Sequence, residues 1–405
     1  MRVRAAKPGE YEEIGEMVHH AFQQGSGTDL ERCIVKVITT EDPNFHEGDL
    51  RVTEAEGKIV SMMLIIRRPI RIGTAIVKGA MVAPVATHPI HQRKGYCSAV
   101  MRDAINYMKK QNLDITLLWG HPWLYPKYGY SPAMPFSRLV INTERCKKVE
   151  TEPHTLEPFD EHSIKEVTKI YHNNTATRTC AEMRSPELYE WKLRSPYIDF
   201  ETIIDQKGEI IGYVVFTLQN PEEHVPEIGV LNDLACRAVF NRILELARER
   251  RIKDVICVVP PDHPFSSFAS WKNAEQRITQ SGAGMIRVLN LVSLLKKMRE
   301  EFGRRLAHSE FHNLTSTLNV VSEEGAARLA ITEGKVTVNT DVTTGDCQLD
   351  IPIASLNPLI TGYKSIHDLL QEIVLSTKGK NIIRLIDVLF PKGFSFGGRL
   401  PLVWE

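Results

Sequence analysis

No stretch of the 405 residues approaches the ~20 consecutive apolar positions that a membrane-crossing helix needs. Charge of one sign is also missing. Fifty Lys and Arg balance fifty Asp and Glu, so the chain lacks the basic excess that marks a nucleic-acid footprint. Cysteine gives no framework: Cys33, Cys97, Cys146, Cys180, Cys236, Cys257 and Cys347 are odd in number, scattered, and never spaced Cys-x-x-Cys. That pattern argues against disulfide stapling and zinc binding. The first residues, Met1-Arg-Val-Arg-Ala-Ala-Lys-Pro8, lack the apolar core of a secretion signal. What is present is ordinary for a folded chain, with 42% hydrophobic and 25% charged residues. These observations predict a cytoplasmic, metal-free globular protein with neither nucleic acid nor membrane as partner. At about 150 residues per domain, the length predicts two or three domains.

The chain divides into three segments. In residues 1–150 a short strand at Arg2–Ala6 precedes a helix carrying Ile14, Val18, Ala21 and Phe22 on one face. Leu50–Ala55 and Lys58–Ile66 form a hairpin about Glu56-Gly57, and Ala75–Thr87 is a long apolar strand. A helix is predicted over Arg93–Lys110, since Cys97, Val100, Met101, Ala104, Ile105 and Met108 recur at helical spacing. A buried strand, Leu113–Trp119, follows. The proline-punctuated stretch 146–158 marks a boundary. Residues 151–284 repeat the hairpin-then-helix order, with strands near Ile203–Asp205 and Ile210–Leu218, a helix over Ala238–Arg250 and a strand over Asp254–Val259. Residues 285–405 begin near an amphipathic helix (Leu291, Leu294, Leu295, Met298). Strands follow around Ser316–Val321, Ala327–Thr332 and Lys335–Asn339, then a helix over Lys364–Leu375.

The stretch that carries chemistry is Val82-Ala-Pro-Val-Ala-Thr-His-Pro-Ile-His-Gln-Arg-Lys-Gly-Tyr-Cys97. A strand ends near Thr87, a basic turn follows, and a helix begins. A helix N-terminus presents unpaired N–H groups and partial positive charge, so the junction is suited to a pyrophosphate. Arg93 and Lys94 add cations, and Gly95 permits close backbone approach. The same residues also fit a solvated basic turn.

The strand followed by Gln92-Arg-Lys-Gly-Tyr-Cys97 resembles motif A of the GNAT acetyltransferases, Gln/Arg-x-x-Gly-x-Gly/Ala, with Cys97 in place of the usual small residue. Downstream, Leu124-Tyr-Pro-Lys-Tyr-Gly-Tyr130 resembles motif B, Tyr-x-x-x-Gly-Phe/Tyr. The third segment, with Met285-Ile-Arg-Val-Leu289 and Leu359-Ile-Thr-Gly-Tyr363, resembles a sterol-carrier-protein-2-like domain. Together they are similar to the Eis (enhanced intracellular survival) family of N-acetyltransferases. The resemblance implies an α+β, mixed-sheet architecture of tandem GNAT folds followed by a sterol-carrier-like domain. The second segment has no glycine between Leu234 and Phe240, so one cofactor site per chain is expected.

The resemblance also implies an activity: transfer of an acetyl group from acetyl-CoA to a primary amine of an aminoglycoside-like compound, a polyamine or lysine. Val85, Ala86 and Thr87 would contact the cofactor through backbone, and Gln92, Arg93, Lys94, Gly95, Tyr96 and Cys97 would cradle it. Tyr125 aligns with the family's general acid, although Tyr125, Tyr128 and Tyr130 each also fit a core aromatic. The family's base is the terminal carboxylate, here that of Glu405 where an aromatic is usual; a frayed tail is the alternative. Phe22, Asp29, Trp119 and Trp123 are expected to line the acceptor pocket, where carboxylate and cation–π contacts favour an amine. The tryptophans also read as core. Glu31, in the same approach, reads as solvated. A homo-oligomer, a hexamer by resemblance, is expected. The competing expectation is a lipid or sterol carrier with a vestigial first domain.

Overall fold

The structure, a computed structural model, describes residues 1–22, 30–190, 198–217, 224–373 and 376–396. The first segment contains β1 (Arg2–Ala5), α1 (Tyr11–Phe22), α2 (Leu30–Glu41), β2 (Leu50–Ala55), β3 (Lys58–Ile72), β4 (Ala75–Thr87), α3 (Tyr96–Lys110), β5 (Ile115–Trp119) and β6 (Ser131–Asn142). The Glu56-Gly57 hairpin forms as the turn chemistry predicts, both residues adopting positive φ. β3 is longer than its apolar run indicated, because Arg67, Arg68 and Arg71 lie within it. Arg67 is held by Asp49 at 2.7 Å and Arg68 by Asp42 at 2.5 Å. Paired in this way, the guanidiniums sit in a strand that their charge alone disfavours.

The second segment contributes β7 (Thr155–Pro158), α4 (Ile164–Asn174), α5 (Glu187–Glu190), β8 (Ile198–Ile204), β9 (Ile210–Thr217), β10 (Glu227–Val230), α6 (Asp233–Glu249), β11 (Asp254–Cys257), α7 (Pro264–Ser270) and β12 (Glu275–Val288). Strands β10-β9-β8-β7 form a four-stranded antiparallel sheet. The larger sheet has eight strands in the order β1-β2-β3-β4-β5-β12-β6-β11. The two units therefore exchange strands: β12 sits between β5 and β6 of the first, and β6 pairs with β11 of the second. The boundary expected at 284/285 is corrected by this order, since Met285 is an interior residue of β12, paired with Leu118.

The remaining elements are α8 (Leu291–Ala307), β13 (Ser316–Ser322), β14 (Gly325–Thr332), β15 (Lys335–Asn339), β16 (Cys347–Asp350), α9 (Ile353–Ile360), α10 (Ile366–Glu372), β17 (Ser376–Lys378) and α11 (Ile382–Leu389), with a sheet ordered β15-β14-β13-β16-β17. The mixed α/β class and the tandem arrangement agree with the expectation.

Three apolar clusters position the candidate site. Helices α1 and α2 cover one face of β2–β4 through Ile14, Val18, Val35, Ile38, Leu50 and Leu64. Helix α3 covers the other face through Val100, Met101, Ala104 and Met108 against Met63, Ile65, Ala80 and Val82. The C-terminal segment packs directly on the remainder: Ile72, Val77, Ile115, Leu117 and Ile286 share one core with Leu294, Phe302, Leu318 and Leu359. Asn357, fully buried, stitches the units together, donating to Gly129 C=O at 3.0 Å and Ser131 Oγ at 2.7 Å while accepting from Val288 N–H at 2.9 Å.

Candidate active site

The site begins with a gap in the large sheet. β4 runs parallel to β5 for three residue pairs only, Gly79↔Ile115, Ala80↔Thr116 and Met81↔Leu117. Beyond them β5 keeps only its other neighbour, β12, with which it pairs along its whole length from Ile115↔Val288 to Trp119↔Gly284. A bulge accompanies the divergence. Between the pairs Met63↔Val85 and Ile65↔Val82, Ala83 and Pro84 stand opposite Leu64 alone. The extra residue shifts the pleat, so that Val82 and then Val85 pack toward α3, while Ala86 packs toward α1. Val82–Thr87 thus border a cleft without a β5 neighbour. Ser61 holds this end of β4, its hydroxyl donating to Ala86 C=O at 2.9 Å and lying 2.8 Å from Thr87 Oγ1.

The chain then makes the basic turn. Gln92, Arg93, Lys94 and Gly95 are exposed, with Arg93 at φ 62° and Gly95 at φ 86°. These left-handed residues stop the helix from starting at Arg93, as its apolar spacing predicted, and α3 begins at Tyr96. No side chain caps α3. Its first bond is Ala99 N–H to Gly95 C=O at 3.0 Å, so the amides of Tyr96, Cys97 and Ser98 have no intrahelical acceptor. A Cβ built on Gly95 meets nothing within 4 Å. The turn therefore offers a cationic, open cradle to an anion. The corresponding junction in the second unit is closed: Asn232 caps α6 by accepting from Ala235 N–H at 2.9 Å, and Asp233 occupies the first turn. A carboxylate there repels the anion that α3 attracts.

Tyr125 lies across the cleft, just before a 3-10 turn over Pro126–Tyr128. It is 8% exposed and packs in the α3 core with Tyr128 and Tyr130. Tyr128 donates to Ser98 Oγ at 2.8 Å, and Tyr130 lies 3.3 Å from Thr116 Oγ1. Among the described residues Tyr125 has no hydrogen-bond partner for its hydroxyl, which separates it from the other two. Burial pushes its phenol well above the ordinary value, and the nearby Cys97 thiol adds to the rise. Burial likewise pushes Tyr130 up to about 12 and raises the Cys97 thiol. Gly120, at the end of β5, makes room for the ring: a Cβ there would stand 2.3 Å from Tyr125 Cε2.

The other predicted residues are dispersed. Phe22 is half-buried against the α1/α2 core. Trp119 borders the cleft beside Gly120, but its ring lies 4.6 Å from Phe136 and covers Gly284. Trp123 is 78% exposed and stacks on His121 at 4.6 Å. Asp29 and Glu405 lie outside the described residues, as does the side chain of Glu31.

Two features escaped sequence reading. A file of histidine rings runs from α1 to the basic turn, His20 to His88 at 6.3 Å, His88 to His91 at 5.7 Å and His91 to Tyr96 at 6.1 Å. Burial, then His91 and His20, hold His88 below its ordinary value. His308 and His312 have the four-residue spacing of helical metal ligands with Glu310 between them, yet each ring bonds a backbone carbonyl, of Arg304 and Ser309 respectively. Among the described residues no group of three His, Cys, Asp or Glu is arranged to hold a metal.

Comparison with known proteins agrees with this geometry. Residues 2–133 match the family described as acetyltransferase (GNAT) domain. The whole chain resembles a GCN5-related N-acetyltransferase from Anabaena variabilis (17% identity, 98% of each chain covered, TM-score 0.75). It also resembles one from Kribbella flavida (13% identity, 100% of this chain and 98% of that one, TM-score 0.75). Eis1 from Mycobacterium abscessus aligns at 17% identity over 98% of this chain and 99% of that one, with TM-score 0.67. No curated protein matches by sequence. Among the described residues no helix is long and apolar enough to cross a membrane. Residues 2–133 are thus similar to an acetyltransferase (GNAT) domain, within a fold that nearly the whole chain shares with these solved structures.

Proposed function

We propose that the protein is an acetyl-CoA-dependent N-acetyltransferase acting on a primary amine, of an aminoglycoside-like compound, a polyamine or lysine. The observation that carries the reading is the combination of three features: the β4/β5 gap, the uncapped α3 turn with open space at Gly95, and the Tyr125 hydroxyl, which has no hydrogen-bond partner among the described residues. Acetyl-CoA supplies an activated thioester. Arg93, Lys94 and the amides of Tyr96, Cys97 and Ser98 would hold its pyrophosphate, with Gln92 at the rim. The exposed edge of β4 over Val85–Thr87 would bind the remainder through backbone groups and polarise the thioester carbonyl.

The acceptor attacks as a neutral amine, its nitrogen forming the new bond to the acetyl carbon as the carbon–sulfur bond breaks. Tyr125 gives its proton to the departing sulfur. The phenol is protonated at neutral pH, and although burial makes it a weaker acid, the same desolvation would raise the basicity of the leaving thiolate. The proton lost by the amine passes to the terminal carboxylate of Glu405. That assignment rests on the family resemblance of the sequence and on no contact among the described residues.

The C-terminal segment, read as sterol-carrier-like, serves as scaffold, its interior filled by the core it shares with the first unit. We further propose a homo-oligomer, a hexamer, working in the cytoplasm; sedimentation at micromolar concentration giving a mass near the 45.9 kDa of one chain rejects assembly. The test of function is amine-dependent release of CoA thiol, reduced in Tyr125→Phe and in a chain lacking Glu405. Release unchanged by removing Glu405 rejects the terminal base alone.

A further inference from the structure

A cavity of about 480 Å³ opens where the β3–β4 turn, the end of α4, α8 and the segment after α11 meet. It is remote from the cleft described above. Gly73, on its wall, is at the opposite end of β4 from Thr87, about 40 Å away at strand rise. Its size suits a small organic ligand.

The lining is polar and cationic. Arg178, Arg304, Arg305 and Lys392 contribute to it. Asp262 holds Arg178 at 2.6 Å, Asp368 holds Lys392 at 2.8 Å, and the single carboxylate of Glu301 holds Arg304 and Arg305, each at 2.7 Å. Four lining cations are thus answered by three carboxylates. Spare donors remain: Glu301 and Leu389 take up Nε and Nη2 of Arg304 and Nε and Nη1 of Arg305, which leaves one Nη of each without a partner among the described residues. Asn173 and Thr177 add uncharged polar groups to the wall.

We propose that this cavity is a second ligand site, for a small molecule bearing phosphate or carboxylate groups. Guanidinium forks recognise both oxyanions with paired N–H donors. Gly393, on the wall, has open space where a Cβ would stand, with nothing within 4 Å, and no left-handed φ. A bulky side chain at this wall position is accepted without backbone strain or a clash at Cβ.

The test is calorimetric titration of the full chain with inorganic pyrophosphate and, separately, with citrate. Pyrophosphate also suits the turn before α3, so an Arg93→Ala/Lys94→Ala variant removes that contribution. The expected result is saturable binding of one or both probes, retained in Arg93→Ala/Lys94→Ala. It weakens about tenfold in Arg304→Ala/Lys392→Ala and in Gly393→Trp. Arg304 and Lys392 side chains are 46% and 59% exposed, and Arg305 still pairs the buried Glu301 at 2.7 Å when Arg304 is truncated. Binding of pyrophosphate alone assigns a phosphate ligand, and binding of citrate alone a carboxylate. The proposal is overturned if neither probe binds at about 10 mM or if binding follows the Arg93/Lys94 variant only. It also falls if binding requires removal of residues 397–405, which would make the chain's own terminus the occupant.

Discussion

Gly120→Ala tests the placement of the proposed acid without touching it. The added methyl would lie 2.3 Å from Tyr125 Cε2, 3.1 Å from Cδ2 and 3.2 Å from Cζ. Gly120 has no left-handed φ, so the backbone accepts alanine and the strain falls on the ring. Carbon atoms rest at about 3.5–4.0 Å, so the ring must retreat by more than about 1 Å. A displacement of about 1 Å in a positioned catalytic group costs about a hundredfold in rate. Steady-state kinetics of amine acetylation should show kcat lower by about a hundredfold, with little change in KM for acetyl-CoA, whose proposed phosphate contacts lie on α3. The decisive comparison is the double variant. In Tyr125→Phe the hydroxyl is already gone, so adding Gly120→Ala should change kcat less than about threefold, a strongly non-additive pair. Equal losses on both backgrounds, or full activity in Gly120→Ala, would refute the assignment.

Other consequences follow from the same structure. Gly95→Ala forces alanine to φ 86° at a cost of about 1 kcal/mol, while Arg93→Ala should raise KM for acetyl-CoA about tenfold at unchanged kcat; thermal melts and substrate titrations separate the two. Glu301 is 1% exposed. Desolvation opposes its ionisation, but bonds from Arg304 and Thr74 and the charge of Arg305 prevail, holding its carboxyl at about 2. Because the folded pKa lies below the unfolded one, it contributes about 3 kcal/mol at neutral pH, lost as pH falls from 4.5 toward 2; denaturant melts of Glu301→Gln should lack that step. Burial holds His263 at about 3, below its unfolded 6.5. Acid protonates the unfolded chain first, so stability declines below pH 6.5, by about 2 kcal/mol at pH 5. Melts of His263→Phe between pH 7 and 5 should show a flatter profile.

Local signals were legible in the sequence, and long-range ones were not. Gln92–Cys97 and Leu124–Tyr130 are contiguous, so the strand–turn–helix junction and the tyrosine segment could be picked out through their resemblance to family motifs, whereas the residues' chemistry alone fitted a solvated basic turn equally well. The hairpin at Glu56-Gly57 and β15 at Lys335–Asn339 follow from turn residues and alternation. The strand exchange has no local signature. The outer half of β12, Glu275-Gln-Arg-Ile-Thr-Gln-Ser-Gly282, is exposed and glycine-broken, so it reads as loop, and its pairing with β6 spans more than a hundred residues. Apolar spacing starts α3 three residues early because it does not report the left-handed turn at Arg93 and Gly95. The role of Gly120 depends on Tyr125 folding back across five residues, and the cationic cavity on four separate elements. Aromatic composition singled out Trp123, which the structure leaves in solvent.

The central claim is that a chain with this cleft transfers acetyl groups to amines through Tyr125. Its most direct test is the rate of CoA thiol release from acetyl-CoA by purified full-length protein, with aminoglycosides, polyamines and lysine peptides, for wild type and Tyr125→Phe. The account predicts release that depends on an added amine and falls about a hundredfold or more in the phenylalanine variant. Equal release by both proteins would contradict the acid role, and absence of both release and acetyl-CoA binding would contradict the function itself.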